Sequence, residues 1–577
     1  MRIFITGATG FIGAQLTRYL LAESQGNAAL DITCLVRDAR RLDATIRSRV
    51  TVLTGDLREV TCYAKAVQDC DYVFHIAANA SVTGGLRAYR ENIDSTRALF
   101  ETLQNAPHLK RFVFTSSIGA IDRQTTDDCS QPLIETSPSN PVTLYGKSKW
   151  DCERLITESA LPYTIVRPTW VYGPNMRLNS HVAVFAQMVK RGHPLSYVNF
   201  PGQVSVIYID DLIECLWHVA RAPGAHRQAF FASDGNPVTL GQIFRMLGQG
   251  FGQTAGTIAL PEVIVNHLRQ LRPQLPLTAQ NLFSHVLWAD NTKLMTTGFI
   301  PTVDFQTGVL RTLRWMTTLS KPIATTNPVT VITGAASGIG KALAQQLYVE
   351  GHALCLVDKN QVELNVLAKT LDAHALCLDL AQPSAWEALS SWFEKNALTL
   401  GWLINNAGIG ARGPSDSLSF EQQQRIVEVN CLAVTYLSRW AISQFRKQKH
   451  GVLINVASSA AFQPLPFMAV YAASKAYVRH FTHSLAGEVQ DAPGISVLSV
   501  SPSGTATRFQ VMAGVRQTAN EQLLDPAWVA RKIITAACQR HADVIIGRLG
   551  QLMSIVSRLL PSHWQILLWR RLMEKHR

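Results

Sequence analysis

Ile5-Thr6-Gly7-Ala8-Thr9-Gly10-Phe11-Ile12-Gly13 and Ile332-Thr333-Gly334-Ala335-Ala336-Ser337-Gly338-Ile339-Gly340 are closely similar phrases, 327 residues apart. Each ends a short apolar run and opens a helix-like stretch, Ala14 to Ala22 in the first copy and Lys341 to Glu350 in the second. Each is followed by a β-rich run, Ile32-Thr33-Cys34-Leu35-Val36 and Ala353-Leu354-Cys355-Leu356-Val357. Strand, glycine turn, helix and strand therefore occur twice, the opening of a parallel α/β sheet. Gly7 and Gly334 permit the tight turn out of the strand. Gly10 and Gly338 let backbone N–H groups approach a pyrophosphate at the helix N-terminus, and Gly13 and Gly340 let helix and sheet pack closely. Phe11, Ile12, Ser337 and Ile339 complete the two candidate nucleotide loops.

The rest of the composition agrees with a chain of several globular units. Of 577 residues, 47% are hydrophobic and 16% charged, which excludes a disordered or fibrous protein. The ten cysteines form no Cys-x-x-Cys pair, which argues against a zinc module and a disulfide-stapled secreted protein. No metal site is expected. No apolar run reaches spanning length, about 18 residues or more. Arg2 leads at once into Ile3-Phe4-Ile5, so no signal peptide is expected, and the expected location is cytoplasmic, with peripheral membrane contact left open. The net charge of +13 is not accompanied by a nucleic-acid-binding motif, so no nucleic-acid partner is expected.

The second strand of each copy should end beside the adenosine ribose. In the first it ends Val36-Arg37-Asp38, with Arg40 and Arg41 nearby; Arg37 can pair with a 2′-phosphate, which favours NADP(H). In the second it ends Val357-Asp358-Lys359; the Asp358 carboxylate accepts from a free 2′-hydroxyl and repels a phosphate, which favours NAD(H). Asp56, with Leu57, and Asp379 close a third apolar run in each copy, where both can reach the adenine edge.

Two pairs could do chemistry. Tyr145 and Lys149 are four residues apart, as are Tyr471 and Lys475, so each pair shares a helix face. An ammonium beside a phenol favours the phenolate, which predicts a lowered tyrosine pKa and proton exchange with a carbonyl or alcohol oxygen. Upstream of each pair a β-run ends in serines, Ser116-Ser117 and Ser458-Ser459, whose hydroxyls can hold the reacting oxygen.

These motifs resemble the short-chain dehydrogenase/reductases, and the two halves resemble different branches. The first is similar to the extended branch, which includes epimerase/dehydratase-like and dihydroflavonol-reductase-like enzymes. It carries the first glycine loop, Asp56-Leu57, His75-Ile76-Ala77-Ala78, Tyr145 with Lys149, Arg167-Pro168 and Tyr208-Ile209-Asp210-Asp211. The second is similar to the compact, classical branch, through Asn405-Asn406-Ala407-Gly408, Val429-Asn430 and Ser458 thirteen residues before Tyr471. Ser503 departs from the Pro-Gly usual to that branch after the last core strand. The resemblance implies two tandem Rossmann-type doubly wound domains of α/β class, the first with a smaller substrate lobe. It implies that Tyr145 and Tyr471 are acid/base groups, that Lys149 and Lys475 assist them and hold the nicotinamide ribose, and that Ser117 (Ser116 being the alternative neighbour) and Ser458 orient the carbonyl. Asn430 then holds a helix kink and a water path. Ala77, Asn406, Ala407 and Gly408 line the nucleotide. A homo-oligomer is the family's usual state.

The expected organisation is residues 1–318 for the extended-type domain, 319–328 for a Pro-containing linker, 329–540 for the compact domain and 541–577 for a basic tail. From Val544 onward the tail sets six basic residues against the single Glu574. Leu549, Leu552, Met553, Val556 and Leu559 recur at helical spacing, Pro561 interrupts, and Trp564, Leu567, Leu568 and Trp569 resume it. Such a segment either lies on an anionic membrane surface or docks on its own domain or a second subunit. Three functions follow. Fusions of these branches resemble fatty acyl-CoA and fatty aldehyde reductases, so one reading is bifunctional hydride transfer on a hydrophobic carbonyl or alcohol. In another, an NADP-linked half and an NAD-linked half together isomerise an alcohol through a ketone. In the third, one half only senses nucleotide or mediates assembly.

Overall fold

The computed structural model describes residues 1–24, 30–80, 85–122, 131–271, 282–283, 287–319, 328–514 and 523–574. Most of the expected linker, residues 320–327, lies outside them, as do Lys575 and Arg577 of the tail. The chain forms two compact units, one of Met1–Leu247 with Ala255–Thr312, the other of Gly248–Thr254 with Leu313–Arg577.

The first unit is built on seven parallel strands: β1 (Arg2–Thr6), β2 (Asp31–Val36), β3 (Thr51–Thr54), β4 (Tyr72–His75), β5 (Arg111–Thr115), β6 (Tyr163–Pro168) and β7 (Gln228–Ala232). Their order is β7-β6-β5-β4-β1-β2-β3. The central strands are buried along their length, as a parallel sheet covered on both faces requires. Helices α1 (Phe11–Glu23), α2 (Gly85–Leu103) and α3 (Leu144–Thr157) follow β1, β4 and β5. Phe4, Val73, Phe112 and Ile165 of the sheet pack against Leu99, Phe100 and Leu103 of α2 and Ile156 of α3. After β6 the chain leaves the sheet for a segment that includes the helix His181–Lys190, returns through β7, and then enters the helix Leu240–Phe251. Inside this unit, Arg167 on β6 forks onto Glu153 on α3, at 2.6 Å from Nη2 to Oε2 and 3.0 Å from Nε to Oε1. Both side chains are almost wholly buried.

The second unit repeats the plan. Strands β8 (Val329–Thr333), β9 (Ala353–Asp358), β10 (His374–Cys377), β11 (Leu400–Asn405), β12 (Gly451–Val456), β13 (Ile495–Pro502) and β14 (Asp543–Ile546) run parallel in the order β10-β9-β8-β11-β12-β13-β14. Helix α4 (Gly338–Val349) follows β8, α5 (Ala433–Gln448) precedes β12 and α6 (Ala469–Glu488) precedes β13. The core joins Val331, Leu403, Leu453 and Val497 to Leu437, Ala441 and Phe445 of α5. One boundary moves. Val544, Ile545 and Ile546 pair with Val500, Ser501 and Pro502 and complete the sheet, so the tail proper starts at Gly547, not at 541. It forms α7 (Arg548–Leu559) and α8 (Ser562–Glu574). Among the described residues, no helix is long and apolar enough to cross a membrane.

Candidate functional site

The two glycine turns are built alike. Thr6 Oγ1 accepts from the Ile76 and Ala77 N–H groups at 3.1 and 3.2 Å, and Thr333 Oγ1 accepts from Asn406 and Ala407, both at 3.0 Å. Strands β4 and β11 are thereby drawn against the loops. Gly7 and Gly334 have positive φ (80° and 64°), and a Cβ on either would strike the backbone of Ala77 or Ala407. A Cβ on Gly13 or Gly340 would sit 2.1 or 2.0 Å from the carbonyl oxygen of Gly7 or Gly334, so only glycine lets the helix start this close to the strand. Gly10 and Ser337 are the N-caps of α1 and α4; neither helix has a side-chain cap or an acidic residue in its first turn. The first amides, at Phe11-Ile12-Gly13 and at Gly338-Ile339-Gly340, are thus left for an anion, the donor set a pyrophosphate needs. These cradles fit a dinucleotide in each half. Asn406 Nδ2 braces the second by donating to the Thr333 and Gly334 carbonyls.

The residues expected at the adenosine end are differently engaged. Asp358 Oδ2 accepts from the Ala336 N–H inside the glycine loop at 3.0 Å, and Oδ1 from Asn360 at 2.9 Å. The carboxylate is therefore fixed at the loop. Arg37, largely exposed, is paired with Glu91 of α2 at 3.2 Å, a partner not legible in the sequence. Asp38 holds Arg40, and Asp56 holds Arg58 at 2.7 Å, which keeps the Asp56 carboxyl below the usual range. Leu57 packs on the core and its carbonyl accepts from the Tyr63 hydroxyl. Asp379 is ion-paired with Arg425 and accepts from the Ala381 N–H.

The chemistry-bearing residues occupy matching places. Ser117 and Ser458 follow β5 and β12 and cap the short turns Ile118–Ile121 and Ser459–Phe462, each accepting from the N–H two residues on at 3.2 Å. Ser116 is buried with its Oγ unpartnered. Tyr145 and Lys149 lie on α3, and Tyr471 and Lys475 on α6. Lys149 Nζ donates to the Thr115 carbonyl at 2.7 Å, and Lys475 Nζ to the Val456 carbonyl at 2.9 Å. A Cβ on Gly408 would come within 3.0 Å of Lys475 Nζ, so that backbone borders the site.

Asn430 lies in a π-helical turn, Glu428–Leu432, immediately before α5. Its Oδ1 accepts from Ile409 N–H at 3.0 Å, and its Nδ2 donates to Ile409 O and Ser474 Oγ, both at 2.9 Å. No sequence motif marks a counterpart in the first half. The structure shows one, Asn92 on α2: its Oδ1 accepts from Asn79 N–H at 2.7 Å and its Nδ2 donates to Asn79 O and Ser148 Oγ. Ser148 and Ser474 both stand three residues after the tyrosine and donate to its carbonyl. That shared serine was the signal that pairs Asn92 with Asn430.

The electrostatics differ from the sequence expectation. Burial pushes the Tyr145 phenol up to about 12, partly offset by Arg177, and raises Tyr471, partly offset by the Ser458 hydroxyl. Neither is lowered. Desolvation acts on the lysines too, bringing Lys149 and Lys475 down to about 8, and their ammonium groups are turned to strand-end carbonyls. The surroundings of Tyr471 are apolar: it clusters with Met468, Ala460 and Ala513, with Leu465 and Met573 packed on, and its ring lies 5.2 Å from that of Phe509.

Ser503 also finds its reason. Its Oγ accepts from the Gly550 N–H of α7 at 3.1 Å, and a Cβ on Gly547 or Gly550 would lie 2.6 or 2.3 Å from that oxygen. The tail thus starts on the loop that follows β13. Among the described residues, no cluster of His, Cys, Asp or Glu is disposed to hold a metal.

Comparison with known proteins divides the chain in the same way. The NAD dependent epimerase/dehydratase family model matches residues 3–231, and the short chain dehydrogenase model matches residues 328–517. The chain is 33% identical over 172 residues to a very-long-chain 3-oxoacyl-CoA reductase of Neurospora crassa, covering 28% of this chain and only 51% of that relative. It is 30% identical over 240 residues to dehydrogenase/reductase SDR family member 7B of Bos taurus, covering 38% of this chain and 74% of that one. It is 28% identical over 270 residues to UDP-glucose 4-epimerase of Vibrio cholerae, covering 45% and 78%.

Proposed function

The chain belongs to the short-chain dehydrogenase/reductase superfamily, and from that premise we propose that it carries two nicotinamide-dependent sites, one per half, acting on a carbonyl or alcohol. The observation that carries this reading is the matched set of Ser, Tyr, Lys and Asn at the same strand and helix ends in both halves. For the second half we propose a hydrophobic, fatty acyl- or aldehyde-like substrate. The apolar cluster around Tyr471 supports it, as does the likeness to the fungal very-long-chain 3-oxoacyl-CoA reductase.

In the reducing direction, nicotinamide when bound supplies the hydride. The Ser458 hydroxyl donates to the substrate oxygen and fixes it over Tyr471. The Tyr471 phenol gives its proton to that oxygen as negative charge develops there. Burial, by raising the phenol, keeps it protonated at neutral pH, the state an acid requires. Lys475 holds its ammonium on the Val456 carbonyl, where it can also meet a ribose hydroxyl. Asn430 fixes Ile409 and Ser474, and so the start of α6. The corresponding roles in the first half fall to Ser117, Tyr145, Lys149 and Asn92.

Because burial lowers Lys475, its ammonium is lost as pH rises through about 8 rather than near the ordinary lysine value. Reduction by the second half is expected to be level at neutral pH and to fall above about pH 8, read as kcat/KM against pH. A flat profile through that range contradicts the assigned role.

For cofactor choice we propose NADP(H) in the first half and NAD(H) in the second. The fixed Asp358 carboxylate supports the second assignment. Arg37, which must exchange Glu91 for a 2′-phosphate, supports the first. Asp358→Ala is expected to improve NADPH use by the second half, and Arg37→Ala to raise the NADPH KM of the first, each by about ten-fold. Unchanged NADPH constants would refute both.

The substrate class is tested by following NADH and NADPH oxidation with acyl-CoAs, aldehydes and cyclic ketones of graded size. KM is expected to fall as the apolar chain lengthens; indifference to chain length rejects a hydrophobic substrate.

A further inference from the structure

We propose that the α7–α8 hairpin seats the second half on an anionic lipid surface, and that its inner side forms the wall past which a substrate drawn from the lipid reaches Tyr471. The second clause rests on the hydrophobic-substrate reading above; the first does not.

Helix α7 is amphipathic the wrong way round for a helix docked in water. Its protein-facing positions are small: Gly550, Ser554 and Ser557 are buried. Four of its large apolar residues point outward, Leu549, Leu552, Ile555 and Leu559, between 54% and 78% exposed, while Met553 and Val556 are half-buried. Helix α8 continues the surface with Trp564, Leu567 and Leu568, and none of its residues is buried. A docked helix ordinarily turns its leucines to the core, because each one left in water forgoes about 1.5–3 kcal/mol of burial. Exposed leucines and an isoleucine on one face of α7, with further exposed apolar residues on α8, mark a surface that something covers.

The hairpin is also held in place. Gly550 N–H is bound to Ser503, Gln565 Nε2 donates to the Ser557 and Leu560 carbonyls across the bend, and Arg412 donates to the Met573 carbonyl at 2.6 Å. The outward face is therefore fixed by the inner one: only glycine fits against Ser503, so the larger residues take the other side.

Charge selects the occupant. Arg548, Arg570 and Arg571 are exposed beside the apolar residues, and the hairpin's one carboxylate, Glu574, is already paired with Arg570. A second copy meeting this face about a two-fold axis would bring two surfaces of the same positive sign together. Anionic headgroups complement the arginines, acyl chains cover the leucines, and Trp564 suits the boundary between them. Neither helix is long and apolar enough to span, so the hairpin lies in the plane of the surface. Its inner side reaches the site: Met573 of α8 packs in the cluster that holds Tyr471 and Phe509.

The test uses the full chain and vesicles of phosphatidylcholine with and without phosphatidylglycerol. The wild type is expected to float with the anionic vesicles and to be partly released by salt. Leu552→Glu with Ile555→Glu, both at exposed positions, is expected to lower flotation about ten-fold or more while leaving reduction of a short, water-soluble carbonyl unchanged. Equal flotation of the two proteins, or none by either, overturns the lipid seat. So does a wild-type dimer that the same substitutions dissociate without any vesicle binding, which would assign the face to a second copy. For the second clause, turnover of a long-chain carbonyl embedded in the vesicles should drop with flotation; undiminished turnover overturns it. Flotation needs no substrate, so failure to reduce any long-chain carbonyl, even one dispersed in detergent, counts against the substrate reading alone.

Discussion

Tyr471→Phe is expected to lower turnover by the second half by about 10²–10⁴-fold, and to leave the first half's reaction at its wild-type rate. The substitution removes one oxygen. The ring remains packed on Phe509 and Met468, so neither the fold of α6 nor the glycine loop loses a contact. What is lost is the proton given to the substrate oxygen, which is needed in the chemical step and not in binding. The fall should therefore lie in kcat, with KM and NADH affinity little changed. Tyr145→Phe is the mirror experiment. Steady-state oxidation of NADH and NADPH by both variants, with nucleotide binding followed by fluorescence, decides whether each half catalyses. If Tyr145→Phe alters no reaction, the first half is a nucleotide-binding or assembly module, and the two-site reading fails there. If both variants lose one common net reaction, the halves act in series on one alcohol.

The largest effect on stability is expected at Arg167. Its guanidinium forks onto Glu153, donates to the Glu135 carbonyl at 3.1 Å and lies 5.5 Å from the Phe231 ring centroid, all with almost no access to water. Arg167→Met leaves the Glu153 carboxylate buried without its partner, a cost of about 3–5 kcal/mol. With two units in the chain, unfolding need not be a single transition, so the expected result is a lower midpoint for the first unit with the second unchanged. Glu153→Leu combined with Arg167→Met removes both charges and should recover most of the loss, because the desolvation penalty then disappears. A single variant as stable as the wild type would show that the pair contributes nothing, despite its geometry.

The fold was legible because its signal is written twice. The glycine phrases, the β-rich runs and the Tyr-x-x-x-Lys pairs each repeat, and the structure puts them at equivalent strand and helix ends. What could not be read came from contacts distant in sequence. Asn92 carries no local motif; it is found only when Ser148 and Ser474, each three residues after its tyrosine, are seen to accept from an asparagine, Asn92 in one half and Asn430 in the other. Glu91 reaches Arg37 across 54 residues. Spacing places lysine and tyrosine on one face but says nothing of desolvation, which raises the phenols where proximity of charge suggested lowering them. Strand β14 was absorbed into the tail because its short apolar run adjoins the basic helix. The tail's periodicity predicted an amphipathic helix; which side faces out depends on Ser503, some fifty residues upstream.

That contact constrains how the chain can change over generations. While Ser503 is present, any side chain at position 550 collides with its Oγ unless the serine rotates away and abandons the amide. Glycine at 503 removes the shortest of these contacts but leaves Ser459 Cβ 3.2 Å and Ile545 Cγ2 3.4 Å from a Cβ at 550, and the first turn of α7 short of an acceptor. Position 550 is therefore closed to larger side chains while Ser503, Ser459 and Ile545 stay in place. Among homologous sequences, serine at 503 together with glycine at 550 is expected to mark those that seat the same two helices on this loop.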